Sequence, residues 1–190
     1  MIYFRPVLLL SLLMFGSQVS ALEFNQVQTS ESSVTFGYKQ MNVPLDGKFN
    51  KFSAKISFDP AKLATAQARI DMDVASIDTG SSDGDDAVVG KLWFNAKTYP
   101  TASFVSTGLK AAGGSRYEAS GKLTIKGKTL DVTAPVTFQA AGSRGIFEGA
   151  FTIKRLDYNI GEGEWTDLGT VANEIQIKFH IVINAAPVKK

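Results

Sequence analysis

Apolar and polar residues alternate with a period of two along most of the chain after residue 22. The clearest example is residues 174–181, where isoleucine or phenylalanine at each odd position alternates with glutamate, glutamine, lysine or histidine. Such a period, with one polar face, is typical of half-buried antiparallel strands. The sequence therefore predicts eight strands, at residues 34–39, 52–58, 68–74, 102–104, 117–125, 130–138, 147–153 and 174–183.

The segments between these runs carry turn signals and one helical pattern. Lys126-Gly127-Lys128 lies between two alternating runs and predicts a tight hairpin, because glycine adopts the positive φ that such turns require. Residues Ser82 to Lys97 predict a single helix. Ser82 or Asp83 is its expected N-cap, and Pro100 limits its C-terminal end.

Eight antiparallel strands with one apolar face must bury that face. A closed up-and-down barrel does so without leaving an unpaired edge, and a two-sheet sandwich is the alternative. The inward positions include several small residues, which favour either a cavity or the close approach of a helix: Ala54, Ala68, Ala119, Gly121, Ala134 and Gly149. We therefore predict an all-β fold, an eight-stranded antiparallel barrel with one helix near its opening.

The first 21 residues have the pattern of an export signal. Arg5 precedes an apolar run at residues 7–15, and Val19 and Ala21 occupy the −3 and −1 positions of a cleavage site. As a helix the run would reach about 14 Å, whereas a hydrocarbon core is roughly 30 Å thick. The sequence thus predicts a signal peptide cleaved after Ala21, one domain at residues 22–190, and a periplasmic location.

Composition excludes several classes of function. Lys and Arg total 20 against 18 for Asp and Glu, without a basic block, which argues against a nucleic-acid partner. The chain has no cysteine and one histidine, so thiolate chemistry, a cysteine zinc site and a serine–histidine triad are not expected. The acidic residues 83–86 fit helix capping better than a calcium loop. We predict no catalytic residue, no metal and no cofactor.

Several segments together resemble the YceI-like family of exported, lipocalin-like barrels. The resemblance extends from about Ser30 to Ile183. Its segments are Ser33-Val34-Thr35-Phe36, Gly47-Lys48-Phe49-Asn50-Lys51-Phe52, Ile56-Ser57-Phe58-Asp59-Pro60, Ser76-Ile77-Asp78-Thr79-Gly80, residues 93–100, residues 102–104, residues 121–127 and residues 155–161. The family often carries histidines where this chain has Ser32, residues 38–40 and Asp86-Ala87. If those histidines bind a head group or a metal in relatives, this chain does it differently or not at all.

The resemblance implies non-covalent binding of a polyisoprenoid, an isoprenoid quinone or a similar amphiphile, for transport, storage or scavenging. The predicted ligand contacts are inward-facing side chains, with Trp93 at the mouth: Phe36, Tyr38, Phe52, Ile56, Ile70, Met72, Phe104, Leu123, Val136, Phe138, Phe151, Ile177 and Phe179. A polar head group would need cations at the rim, for which Lys51, Lys126 and Arg155 are the candidates. The aromatic residues around the predicted helix either plug the barrel or line its mouth.

Two other functions stay open on the sequence. A barrel with a filled interior could be a stress-related interaction module for a membrane partner, and the resemblance suggests a cytochrome b561-type protein. An enzyme acting on a small apolar substrate would depend on the polar cluster Arg155, Asp157 and Tyr158. The sequence also leaves open whether the chain forms a homodimer.

Overall fold

The computed structural model describes residues 22–186, and the signal peptide predicted for residues 1–21 lies outside this range. Within it the chain forms eleven strands and one α-helix. The strands are β1 (Phe24–Val27), β2 (Ser33–Gln40), β3 (Val43–Phe49), β4 (Phe52–Ser57), β5 (Gln67–Asp73), β6 (Ile77–Asp78), β7 (Thr101–Ala111), β8 (Arg116–Ile125), β9 (Lys128–Ala141), β10 (Arg144–Lys154) and β11 (Glu174–Ala185). The helix is α1 (Ser82–Val88).

The strands form one antiparallel sheet that curls into a barrel. Its order is β4-β5-β7-β8-β9-β10-β11-β2-β3-β6, and β1 adds to β11. Only Asn50 and Lys51 separate β3 from β4, so the two strands form one bent segment. Its first half, β3, pairs with β2, and its second half, β4, pairs with β5. Phe24 of β1 also bridges to Phe58, directly after β4. These contacts join the two ends of the sheet, and the predicted antiparallel barrel is confirmed.

The count of eight strands was too low. All eight predicted runs are strands, but β1, β3 and β6 are additional. β3 contains Pro44, Asp46 and Gly47, and its side chains are mostly exposed, so its sequence lacks the alternation that marks the other strands. β6 has two residues, too few to show a period.

The helix is shorter than its sequence pattern suggests. α1 ends at Val88, and its N-cap is Ser81, whose side chain accepts a hydrogen bond from the Gly84 N–H. The predicted extension to Lys97 is wrong, because the chain folds back on itself at Gly90. The Asn95 N–H donates to the Gly90 carbonyl at 2.8 Å, and Asn95 has a φ of 50°. Glycine is a poor helix former, so the apolar stripe continues as a compact series of turns.

Two clusters of buried side chains close the two ends of the barrel. At one end lies the aromatic plug, formed by Phe24, Phe58, Phe138 and Phe147. Three of its ring pairs have centroids 4.7–5.0 Å apart, and Phe138 and Phe147 lie 4.5 Å apart. At the other end, called the loop end here, residues 74–100 and 155–173 cover a second cluster that includes Met72, Leu123 and Ile153.

Candidate ligand-binding cavity

An elongated cavity of about 290 Å³ occupies the barrel between the two clusters. Side chains of β11 line it from Ile175 at the loop end to Ile181 beside the aromatic plug. Six residues of antiparallel strand correspond to about 20 Å. The lining is overwhelmingly apolar, with aliphatic and aromatic side chains contributed by most strands of the barrel. The barrel is therefore hollow, with the shape and chemistry that suit a single apolar chain.

Twelve of the fourteen predicted contact residues border this cavity. They are Phe36, Tyr38, Ile56, Ile70, Met72, Trp93, Phe104, Leu123, Val136, Phe151, Ile177 and Phe179. The exceptions are Phe52, which packs against both buried clusters, and Phe138, which belongs to the aromatic plug. Periodicity assigned both residues to the inward face, but it does not report their depth along the barrel axis.

The small inward residues have two different roles. Ala68, Ala119 and Ala134 border the cavity. At Gly121 and Gly149, in contrast, a Cβ atom would clash with the rings of Phe104 and Phe179 respectively. These rings lie against the backbone of a glycine, which keeps them along the wall and leaves the middle of the barrel open.

Residues from the turns at the loop end complete the cavity. Most of them lie outside the alternating pattern of the strands, so the sequence does not identify them as cavity residues. Gly84, Ala87 and Val88 of α1 border the cavity beside Phe94, Ile160, Trp165 and Val171. The aromatic residues Trp93, Phe94, Phe104 and Trp165 thus line the cavity. Trp93, Phe94 and Phe104 also pack against the buried cluster of the loop end, so both roles predicted for the aromatic residues apply. α1 lies near the opening, as predicted, though in shorter form.

Asp85 holds α1 in place through Thr79. Its Oδ1 accepts hydrogen bonds from the Thr79 N–H at 2.6 Å and from the Thr79 hydroxyl at 2.8 Å. The Tyr38 hydroxyl donates to the Thr79 carbonyl at 3.1 Å, which ties β2 to the same residue. Burial raises the pKa of Tyr38, and the negative charge of Asp85 adds to the shift. These contacts fasten the helix to the barrel rim.

Arg155 borders the cavity but is not a free rim cation. It is 1% exposed, and its guanidinium donates to five backbone carbonyls, at distances of 2.7–3.4 Å. The acceptors are Ile160, Gly161, Trp165, Val171 and Ala172. All five N–H donors of an arginine are therefore engaged within the protein. Burial lowers the pKa of Arg155, and the nearby charge of Asp167 opposes that shift.

The two lysines predicted for a head group are not among the residues that line the cavity. The side chain of Lys126 is 7% exposed, and its Nζ donates to the Asn159 carbonyl at 2.7 Å and to the Glu162 carboxylate at 2.9 Å. Lys51 is exposed at the junction of β3 and β4. Neither lysine therefore contributes to the cavity wall, and their proposed role toward a head group stays a prediction.

The three residues of the polar cluster considered for catalysis have different environments. Tyr158 is 2% exposed within the apolar cluster of the loop end, and burial raises its pKa to about 12. Asp157 is exposed, and Arg155 is engaged with carbonyls. In residues 22–186, no group of three or more His, Cys, Asp or Glu side chains is placed to hold a metal ion. In the same range, no helix is long and apolar enough to cross a membrane.

Comparison with known proteins places these features in a family. The model of the YceI-like domain matches residues 26–183. A UPF0312 protein of Yersinia pestis is 31% identical over 181 residues, which cover 88% of this chain and 90% of that protein. The crystal structure of BcnA from Burkholderia cenocepacia matches with a TM-score of 0.80 and 52% identity, over 83% of this chain and 99% of BcnA.

A more distant structure shares the fold. It is a polyisoprenoid binding domain from Saccharophagus degradans implicated in plant cell wall breakdown, with a TM-score of 0.67 and 16% identity. The alignment covers 88% of this chain and 100% of that domain. The barrel with its apolar cavity, the extent of the domain match and the similarity to the Yersinia protein agree, and the chain belongs to the YceI-like family.

Proposed function

We propose that this protein binds one long apolar chain, non-covalently, inside the barrel. The observation that carries the proposal is the elongated apolar cavity of about 290 Å³. The Saccharophagus domain of the same fold is described as a polyisoprenoid binding domain, which supports a polyisoprenoid, an isoprenoid quinone or a similar amphiphile as the ligand. The twelve cavity-lining residues named above are the proposed contacts.

Burial of apolar surface supplies the affinity. Each methylene group moved from water to an apolar environment contributes about 0.8 kcal/mol. Ten such groups would contribute about 8 kcal/mol. A cavity near 300 Å³ is at the lower end of the range for small-molecule sites, so it encloses one chain. A longer ligand would project past α1.

The proposal includes export and excludes catalysis. The pattern of residues 1–21 supports a signal peptide and a periplasmic location, where a carrier could transport, store or scavenge lipid. A binding role without turnover agrees with the burial of Tyr158 in the apolar cluster. The filled-barrel alternative, with its membrane-protein partner, has less support because its premise is a solid interior.

Identification of a co-purifying ligand tests the proposal directly. Protein would be isolated from periplasm without detergent, weighed intact by native mass spectrometry and then extracted with organic solvent. We expect one isoprenoid, quinone or fatty-acid derivative per protein in the extract. An empty protein that also fails to take up prenyl lipids would overturn the proposal.

A matched pair of variants links the binding to the cavity. Ala134 borders the cavity, and its neighbour Thr133 is exposed on the outer face of the same strand. Ala134→Phe places a ring inside the cavity, whereas Thr133→Phe adds the same ring outside. We expect ligand uptake to be lost in Ala134→Phe and retained in Thr133→Phe. Equal uptake by the two variants would place the binding site elsewhere.

A further inference from the structure

The hairpin of β2 and β3 continues the cavity wall beyond the lining of the barrel. Tyr38 and Gln40 of β2 border the cavity. In β3, Leu45 lies directly opposite Tyr38, and Val43 lies directly opposite Gln40. Residues opposite each other on antiparallel strands share one face of the sheet, so Leu45 and Val43 lie on the face that forms the cavity wall. These four residues form the inner face of the hairpin.

The β3 half of this inner face is apolar and exposed. Val43 is 55% exposed and Leu45 is 36% exposed, and neither is among the residues that line the cavity. On the same face of β2, nearer the middle of the barrel, Phe36 is buried. Exposed apolar surface that adjoins a pocket is typical of a ligand-binding groove. The inner face of the hairpin thus has the chemistry of the cavity wall but is open to solvent.

The cavity opens to solvent beside this face. Three residues that border the cavity are themselves exposed, namely Gln40 on the hairpin and Ser81 and Ala87 at α1. The opening therefore lies between the hairpin and α1. A chain that leaves the cavity there passes Gln40, and the next side chain on the same face of the hairpin is Val43.

The hairpin is held in a fixed position. Its turn residues, Met41 and Asn42, have φ values of 50° and 64°, and positive φ at both residues is typical of the type I′ turn that sets the register of a hairpin. The Met41 N–H donates to the Thr170 carbonyl at 2.9 Å, and the Ala172 N–H donates to the Lys39 carbonyl at 2.9 Å. The inner face is therefore preorganised, which lowers the entropic cost of covering it with a ligand.

We propose that the inner face of the β2–β3 hairpin is an external subsite, which holds the part of the ligand outside the barrel. This proposal rests on the proposed function and specifies the ligand, whose chain is longer than the enclosed cavity. The far end of the chain lies toward the aromatic plug, and the units next to the head group pack against Val43 and Leu45. These two residues thus select for chain length, because a chain that ends inside the cavity does not contact them.

Two prenols of different length test the subsite. Farnesol has a short isoprenoid chain, suited to a cavity about 20 Å long, and solanesol has a much longer chain of the same repeating unit. Affinities of both would be measured for wild type and for the double variant Val43→Thr, Leu45→Thr. Threonine is β-branched and suits a strand, so the exposed hairpin should keep its fold.

Val105→Thr is the matched control. Val105 is 39% exposed on β7, and its neighbours Phe104 and Ser106 border the cavity, so Val105 lies on the outer face of the barrel. The control therefore makes the same change of side chain at an exposed strand position that a ligand in the cavity or on the hairpin does not contact.

We expect the double variant to weaken solanesol binding about tenfold, the equivalent of about 1.4 kcal/mol, because two apolar contacts with the chain are lost. Farnesol binding should change by no more than about twofold, and Val105→Thr should leave both affinities within about twofold of wild type. If the double variant keeps the wild-type ratio of the two affinities, the hairpin does not contact the ligand and the inference is wrong.

A second measurement uses the wild-type protein alone. With ¹³C-labelled methyl groups, saturating solanesol should shift the methyl resonances of Val43 and Leu45, and farnesol should shift them much less. Equal shifts with both prenols, or no shift with solanesol bound, would overturn the inference. If wild type binds farnesol but not solanesol, the external subsite is refuted and the cavity proposal stands. If wild type binds neither prenol, the proposed function itself fails, so the two failures are distinguishable.

Discussion

Replacement of Arg155 should destabilise the fold more than replacement of any exposed arginine. In Arg155→Met the carbonyls of five residues between Ile160 and Ala172 lose their donor. A hydrogen bond to a charged group contributes about 1.5–3 kcal/mol, which would sum to far more than is observed for single substitutions. Loosening of residues 160–172 returns some carbonyls to water, and the desolvation cost of the guanidinium disappears. We therefore expect a loss of about 4 kcal/mol in the free energy of unfolding.

Urea denaturation and thermal melting of the mature protein would measure this loss. For a domain of this size, 4 kcal/mol corresponds to a decrease in Tm of roughly 8–16 °C. Arg155→Lys retains the charge with three donors, so its loss should be intermediate, about 2 kcal/mol. Arg116→Met, at an exposed site on β8, is the control and should stay within about 0.5 kcal/mol of wild type. A loss below 1 kcal/mol in Arg155→Met would refute the view that Arg155 organises the loop end.

Three further changes separate stability, ionisation and ligand exchange. Phe138→Ala removes a ring of the aromatic plug and should cost about 3–5 kcal/mol in urea denaturation, while farnesol affinity stays within twofold because Phe138 does not border the cavity. The pKa of Tyr158 is raised to about 12, so the folded protein favours the protonated hydroxyl. The stability that this preference contributes is complete below about pH 10 and is lost as the pH rises toward 12. Between pH 10 and 12, the free energy of unfolding should therefore fall by roughly 2 kcal/mol less in Tyr158→Phe than in wild type. The same pH dependence in both proteins would contradict this. Asp85→Ala removes both hydrogen bonds that hold α1 to Thr79 and should speed farnesol release about tenfold in stopped-flow displacement, whereas an unchanged rate would show that α1 does not limit exit.

The alternation of apolar and polar residues was sufficient to predict the barrel and most of its inner face. The reason is geometric, because side chains on a strand alternate between faces and a barrel has one interior. The same geometry explains why Phe52 and Phe138 were predicted as contacts although they do not border the cavity. A period of two identifies the face of a side chain but carries no information on its position along the barrel axis, which decides whether it lines the cavity or packs in a cluster.

The loop end could not be predicted in the same way. The partners of Arg155 are backbone carbonyls, and every residue type supplies one, so no sequence pattern identifies them. From the sequence, Arg155 and Lys126 are equally consistent with exposed cations at the rim of the barrel. Only the fold shows that residues 155–173 wrap around one guanidinium and that Lys126 pairs with Glu162.

The glycines show how local packing changes the meaning of a residue. Small inward residues indicated either a cavity or the close approach of another element, and both explanations apply in the same barrel. Ala134 leaves space that the cavity occupies, whereas Gly149 leaves space that the ring of Phe179 occupies. Composition alone cannot separate the two, because the difference depends on which side chain of the neighbouring strand lies directly opposite, as Phe179 does for Gly149.

The chemical difference between the two ends of the barrel would determine the orientation of the proposed amphiphile. At the plug end, the rings of Phe58 and Phe147 present apolar surface to the cavity. A polar head placed there would lose its hydration without gaining a hydrogen bond, which is strongly unfavourable. At the loop end, the same head would lie near the positive charge of Arg155, close to the rim that α1 covers. For the proposed ligand, we therefore expect the head at the loop end and the chain directed toward the aromatic plug.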